Sequence, residues 1–328
     1  MADNTKKVKD ILSRYAIYIV LLVLFLAIGM INRNFFSIDN IVNVLIIAAV
    51  RLVIALGVSG ALITRGTDLS AGRTVGLTAC IAASLLQRPD YAYKLLPDIP
   101  QLPVIVPILL AILVGVIIGI TNGLVIAYLK VPPFIATLGM MVIVYGVSCI
   151  YTNAQPIGGL RDDFTNIASG SIGFMPNLIL IAIIVIFVIW FIYNKTRFGK
   201  YIYAIGGNPN AAEVSGVNVE NILVKVYALA GGLYGLAGAL LAARTGGATN
   251  NYGLMYELDA IAACTIGGVS TSGGVGRVSG VITGVLIFEV LNNGLVVLGV
   301  QTYWQQVIKG IIIIMAVALD IRKYLAKR

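Results

Sequence analysis

The sequence predicts an all-α polytopic membrane protein with about ten transmembrane helices, and three observations predict it. The 328 residues are 59% hydrophobic and only 11% charged, about half the charged share of a typical soluble domain. The apolar residues come in runs too long for strands and too uniform for amphipathic helices. Lys and Arg sit mainly between those runs and form no basic face, so the net charge of +9 speaks of membrane orientation and implies no nucleic-acid partner.

A spanning helix needs about 20 mostly apolar residues. Residues 15–31, 41–63, 104–129, 134–151, 178–193, 226–243, 278–300 and 303–319 meet that need. Two shorter runs, 74–86 and 260–268, are flanked by glycine-rich sequence and read as short or broken spans, which makes ten. Lys6, Lys7, Lys9 and Arg14 precede the first run as they would in a signal peptide. That run is longer than an h-region, however, and Asn32, Arg33, Asn34 and Phe35 offer no small-residue cleavage site, so an uncleaved first helix is expected.

With the N-terminus in the cytoplasm, the inner side collects Lys6, Lys7, Lys9, Arg14, Arg65, Arg73, Lys130, Lys195, Arg197, Lys200, Lys225, Arg277, Arg322, Lys323, Lys327 and Arg328. The outer side keeps Arg33, Arg88, Lys94, Arg161 and Arg244. This asymmetry fixes the expected orientation, with both termini cytoplasmic. Residues 1–14 and 321–328 are then cytoplasmic ends, and 15–320 is the transmembrane domain with its longest inner loop at 194–225.

The chain also carries signs of duplication. Asn122, Gly123, Leu124 and Val125 recur as Asn293, Gly294, Leu295 and Val296. The polar stretch 66–70 leads to Ile81, Ala82 and Ala83 as 247–251 leads to Ile261, Ala262 and Ala263. Five spans separate the copies, so an inverted repeat of spans two to five and seven to ten is expected, with a pathway near its interface. Gly115, Gly119 and Gly123 fall on one helical face, as do Gly276, Gly280 and Gly284. Such stripes read as close helix packing.

Few residues are costly in hydrocarbon. Arg51 lies in mid-span, where an arginine costs roughly 2.5–3.5 kcal/mol, and Glu289 lies at a matching depth in the ninth span. An intramembrane Arg51–Glu289 pair is therefore expected, with Lys309 as a competing partner. Asp68, flanked by Arg65, Gly66, Gly72 and Arg73, suits a loop pinned by charge-assisted hydrogen bonds. Together with Asn122 and Asn293, Asp68 is a candidate for lining or supporting a pathway.

Other chemistries are excluded. Histidine is absent, which removes imidazole as base, relay or ligand. Cys80, Cys149 and Cys264 lie far apart in apolar stretches and suit buried thiols, not disulfides or metal ligands. The chain has no G-x-x-x-x-G-K-[ST] loop to cradle ATP. No catalytic residue, metal or cofactor is expected.

Within 194–225 the sequence marks a short helix. Asn208 suits an N-cap, Pro209 the first turn, Ala211, Ala212 and Glu213 its continuation, and Gly216 a stop. From physics alone this is an ordinary surface helix as readily as one that a protein partner grips.

Thr196, Arg197, Phe198, Gly199, then Ala204, Ile205, Gly206, Gly207, Asn208, Pro209, Ala211, Ala212, Ser215 and Gly216 resemble the cytoplasmic loop of the bacterial monosaccharide ABC-importer permeases, the ribose, xylose and galactose group. Gly66, Thr67, Asp68, Leu69, Ser70, Ala71 and Gly72 are similar to that family's Asp-Leu-Ser motif. Leu258, Asp259 and Ala260–Ala263 with Gly267, Gly268, Gly273, Gly274 and Gly276 resemble its glycine-rich region. The likeness runs through nearly the whole chain except the two stretches expected as outer loops, 87–103 and 152–176. It is greatest to the galactose/methyl-galactoside members, on 66–73, 248–251 and 255–258.

The resemblance implies a permease in the bacterial plasma membrane, working as two copies with a cytosolic ATP-binding subunit and an extracytoplasmic sugar-binding protein. It implies a coupling helix at 208–216 and coupling residues Thr196, Phe198, Gly199, Asn208, Ala211, Ala212 and Gly216. A secondary transporter would instead bind its driving ion at an intramembrane carboxylate, and Glu289 is the residue that would serve.

Overall fold

In hydrocarbon a chain must satisfy its backbone polar groups internally, so the apolar runs fold as helices. The computed structural model describes residues 2–325, without the side chains of 2–16, 319 and 323–325. Along the described residues run α1 (Ala2–Ile31), α2 (Ile38–Ile63), α3 (Ala71–Leu85), α4 (Ile105–Ala127), α5 (Pro133–Thr152), α6 (Asp162–Ser169), α7 (Asn177–Lys195), α8 (Arg197–Gly207), α9 (Pro209–Val214), α10 (Val219–Thr245), α11 (Tyr256–Ile266), α12 (Val278–Val297) and α13 (Thr302–Leu325). The cationic side chains expected at the two ends, Lys6, Lys7, Lys9, Arg14, Lys323, Lys327 and Arg328, lie outside the described residues.

All ten expected segments are helical. Among the described residues seven helices are long and apolar enough to cross a membrane: α2, α4, α5, α7, α10, α12 and the part of α13 from Thr302 to Arg322. Ile17–Ile31 of α1 and Ala71–Leu85 are shorter apolar helices, and α11 has 11 residues.

Three expectations need correction. The stretch 194–225 is not a loop: α8 and α9 fill most of it, and α10 begins at Val219, ahead of the expected 226. Gly276 precedes α12 and packs on the Ile63 side chain, so it does not extend the face of Gly280 and Gly284. Residues 152–176 hold α6 and a two-strand antiparallel hairpin, Ser171–Ile172 with Met175–Pro176.

The core is built on α2 and α10. From Ala48 to Ile63 nearly every α2 side chain is buried, and so is most of α10 from Ala230 to Ala243. Helix α10 packs on α2, α3 and α4, and α2 packs on α10, α11 and α12. In turn α3 packs on α4 and α5, and α11 on α12 and α13. The α4–α10 contact is a glycine seam. A Cβ at Gly115 would strike the Gly231 carbonyl and one at Gly119 the Tyr227 carbonyl, so only glycine lets these backbones touch.

The connections gather at two ends. At one, Gly274 N–H donates to the Ile63 carbonyl at 2.8 Å and Tyr203 Oη to the Gly276 carbonyl at 3.0 Å. Lys130, in the α4–α5 turn, reaches Glu220 at the start of α10, 2.6 Å away. At the other end, backbone bridges join Gln87 to Leu160 and Ile157 to Ala248, and Arg161 donates to the Leu102 carbonyl at 2.8 Å.

Candidate transport and coupling sites

The turn between α2 and α3 delivers Asp68 to the interior, 1% exposed. Its Oδ1 accepts from Ser70 N–H at 3.0 Å and from Ser70 Oγ at 2.6 Å. Asn122 on α4 donates from Nδ2 to Ser70 Oγ at 2.9 Å. Thr137 on α5 grips the same turn, accepting from Leu69 N–H and donating to the Thr67 carbonyl, both at 3.1 Å. The Tyr227 and Tyr234 hydroxyls of α10 stand within electrostatic reach of Asp68. Asp68 Oδ2, Asn122 Oδ1 and both tyrosine hydroxyls are buried without a hydrogen-bond partner among the described residues. Buried polar groups are paired as a rule, so this is a polar nest with acceptor and donor capacity to spare.

Asp68 and Asn122 are thus brought together, whereas Asn293 is not with them. Asn293 sits on α12, which packs on α2 and α11, while α4 packs on α10 and α3. Its Oδ1 is buried and unpartnered.

A second cluster forms where α2, α11, α12 and α13 meet. Arg51 Nε lies 3.0 Å from Glu289 Oε1, and Arg51 Nη1 2.8 Å from Asp259 Oδ2. Lys309 Nζ approaches Asp259 Oδ2 at 3.6 Å. The expected pair of Arg51 with Glu289, with Lys309 competing, is instead a group of two cations and two anions in which Asp259 meets both Arg51 and Lys309. Sequence alone gives Asp259 no charged partner, because it lies in the first turn of a helix too short to be placed by depth. The guanidinium also lies over the Tyr256 ring, 5.1 Å from its centroid. The charges balance, which offsets the cost of drawing them partly out of water.

The third feature is the pair α8 and α9. Thr196 caps α8, its Oγ1 accepting from Gly199 N–H at 3.1 Å. Gly199 is buried where a Cβ would meet the Tyr193 and Ile192 carbonyls, and Phe198 packs against the core. Asn208 caps α9, its Oδ1 accepting from Ala211 N–H at 3.1 Å. Gly216 ends the segment with φ 85°, a left-handed conformation that glycine adopts freely. Ala212 faces inward, Ala211 outward, and Val214 is 90% exposed.

The family model described as branched-chain amino acid transport system / permease component matches residues 40–317. The chain belongs to this permease family. It is 51% identical over 334 residues to the galactose/methyl galactoside import permease protein MglC of Escherichia coli K12, covering 100% of this chain and 99% of the relative. It is 52% identical over 326 residues to MglC of Haemophilus influenzae, covering 97% of each. The ribose import permease protein RbsC of Escherichia coli K12 is 38% identical over 309 residues, covering 93% of this chain and 92% of the relative. No solved structure matches. As a member of this permease family the chain is a multi-pass membrane protein, and the relatives it matches are transport components, not enzymes.

Proposed function

We propose that this chain is the membrane permease of an ATP-driven importer of galactose or methyl galactoside. The full-length identity of 51% to MglC carries the reading. In it α1, α2, α3, α4, α5, α7, α10, α11, α12 and α13 supply ten spans, with both termini in the cytoplasm and the α8–α9 end of the bundle facing the ATP-binding subunit. A sugar-binding protein delivers substrate at the opposite end, where 87–104, 153–176 and 246–255 lie. Two copies assemble in the lipid bilayer, each without catalytic chemistry, and ATP hydrolysis belongs to the partner subunit.

An inverted repeat of α2–α5 with α10–α13 fits the packing. Exchanging α2 with α10, α3 with α11, α4 with α12 and α5 with α13 reproduces the neighbour relations within and between the two groups. Both leading helices end in a left-handed residue, Arg65 at φ 64° and Gly246 at φ 67°. Carrying the match of 66–70 with 247–251 forward makes Gly72 the equivalent of Gly253, and these two pack on each other. Self-contact between equivalent residues is what a two-fold axis produces. Alternating access then opens the nest around Asp68 and Asn122 to one side at a time, with Asn293 on the counterpart helix.

The outward side of α9 presents Ala211, Val214 and Gly216 to the ATP-binding subunit, with Thr196, Phe198, Gly199, Asn208 and Ala212 holding the α8–α9 unit in shape. An ion-driven cycle centred on Glu289 draws no support, because Arg51 already neutralises that carboxylate at 3.0 Å.

The test reconstitutes the chain with its ATP-binding subunit in liposomes and adds galactose-loaded binding protein. Stimulated ATP hydrolysis is expected, and it should vanish in Ala211→Asp/Gly216→Asp. Sugar uptake that follows an ion gradient and needs no partner would overturn the reading.

A further inference from the structure

Residue Arg65 stands just past α2 with φ 64°. That left-handed conformation costs a non-glycine residue roughly 1 kcal/mol or more and persists only where the surroundings over-determine it. Here the surroundings are the C-terminus of α8. Arg65 Nε donates to the Gly206 carbonyl at 2.7 Å, and Nη2 donates to the Gly207 carbonyl. These carbonyls belong to the last turn of a helix, lack intrahelical partners and carry its negative pole, so a planar two-pronged cation suits them.

The contact joins two segments that matter. Gly207 is followed directly by Asn208, the N-cap of α9. Arg65 is followed directly by the turn that Thr137 grips at Thr67 and Leu69 and that ends in the Asp68–Ser70–Asn122 bonds. The join is tight as well as bonded: a Cβ at Gly206 would meet the Ile63 carbonyl and Gly274 N, leaving no slack between α8, the end of α2 and the turn before α12.

We infer that Arg65 is a positioning residue which converts displacement of α9 into movement of the Thr67–Ser70 turn, and so links ATP use in the partner to opening of the buried polar nest. The inference rests on the importer reading. Hydrogen-bond networks and rigid elements can carry coupling across a protein, and a chain of this kind runs from α9 to Asn122 through hydrogen bonds and adjacent backbone alone. A residue that merely capped α8 would affect stability without altering how much sugar moves per ATP.

The experiment uses the full complex in proteoliposomes with galactose-loaded binding protein, comparing the unaltered chain, Arg65→Lys and Arg65→Ala for ATP hydrolysed and galactose imported. Arg65→Ala is expected to assemble and hydrolyse ATP at a basal rate, with galactose per ATP falling at least about fivefold, the low end of usual coupling. Arg65→Lys, which keeps the charge and one donor direction, should fall between. Should Arg65→Ala not assemble, the ratio in Arg65→Lys decides. An unchanged ratio in the variants beside a stimulated unaltered complex overturns this inference alone. No stimulation in the unaltered complex overturns the importer reading, and this inference with it.

Discussion

Gly72 on α3 packs directly against Gly253 in the segment leading to α11, each occupying the space where the other's Cβ would stand. Ala at Gly72 would otherwise help its helix, so any loss there measures its close approach to the Gly253 carbonyl and the Glu257 carboxylate. Gly72→Ala should cost about 1–3 kcal/mol, the usual range for overpacking. Gly253→Ala should cost more, because φ at Gly253 is 76° and a left-handed alanine adds roughly 1 kcal/mol. Gly139→Ala on α5, where a Cβ meets nothing within 4 Å, should be neutral or slightly stabilising. Thermal midpoints of the detergent-purified chain rank the three, and an unaltered midpoint for Gly72→Ala would show that the two segments do not pack there.

The charge cluster changes what a swap experiment should give. If Arg51 faced Glu289 alone, Arg51→Glu/Glu289→Arg would restore the pair. Asp259 stands 2.8 Å from Arg51, so the swap sets a new carboxylate against Asp259 and uptake should stay lost. Arg51→Met leaves two carboxylates without their main cation and should cost about 3 kcal/mol, as breaking one side of a buried pair does. Adding Glu289→Gln to Arg51→Met removes the stranded carboxylate and leaves Asp259 with Lys309, 3.6 Å away, and should recover a large part of that stability. Full rescue of uptake by the simple swap would contradict the three-way contact.

Much of this was legible in the sequence, and the part that was not has physical reasons. Long apolar runs announce helices because hydrocarbon leaves the backbone no other choice. Helix α9 was legible in Asn208, Pro209 and Gly216, whose geometry favours a start and a stop. Helix α8 was not, since Gly199, Gly206 and Gly207 lower its intrinsic propensity; packing of Ile202 and Ile205 into the core supplies what propensity lacks. Tyr227 and Tyr234 sit in apolar sequence that gives no sign of a site, and only the fold brings them within electrostatic reach of Asp68. Arg65 and Arg73 read as topology charges that flank and pin Asp68, but Asp68 bonds to Ser70 and Arg73 to the Asn250 carbonyl, and nothing local tells that the partners of Arg65 lie 141 and 142 residues away.

The Asp68 nest makes a prediction about charge. Asp68→Asn keeps the Oδ1 acceptor for Ser70 and replaces Oδ2 with a donor, within electrostatic reach of the Tyr227 and Tyr234 hydroxyls, which can accept. Its stability should equal or exceed that of the unaltered chain. Asp68→Ala strands the Ser70 N–H and hydroxyl and should cost about 1–3 kcal/mol, the penalty for a buried unsatisfied group. Thermal midpoints separate these outcomes. A clear loss in Asp68→Asn would mean that the negative charge itself is held by a partner; with stability kept, galactose uptake in the variant reports whether the pathway uses the charge.

The capping of α9 gives the closest test of coupling, because it separates local order from global stability. Asn208 Oδ1 satisfies Ala211 N–H, and replacing such a cap with alanine costs about 1 kcal/mol. In a helix of 6 residues that cost falls on α9 alone, so Asn208→Ala should leave the thermal midpoint unchanged while amide exchange over 210–214 speeds about fivefold, the factor about 1 kcal/mol implies. The partner must then order α9 before it can push on it, and binding-protein-stimulated ATP hydrolysis should fall by a similar factor. Asn208→Ser and Asn208→Asp keep a capping oxygen and should retain both slow exchange and stimulation. Fast exchange in Asn208→Ala with full stimulation would mean that the ATP-binding subunit engages another part of the chain.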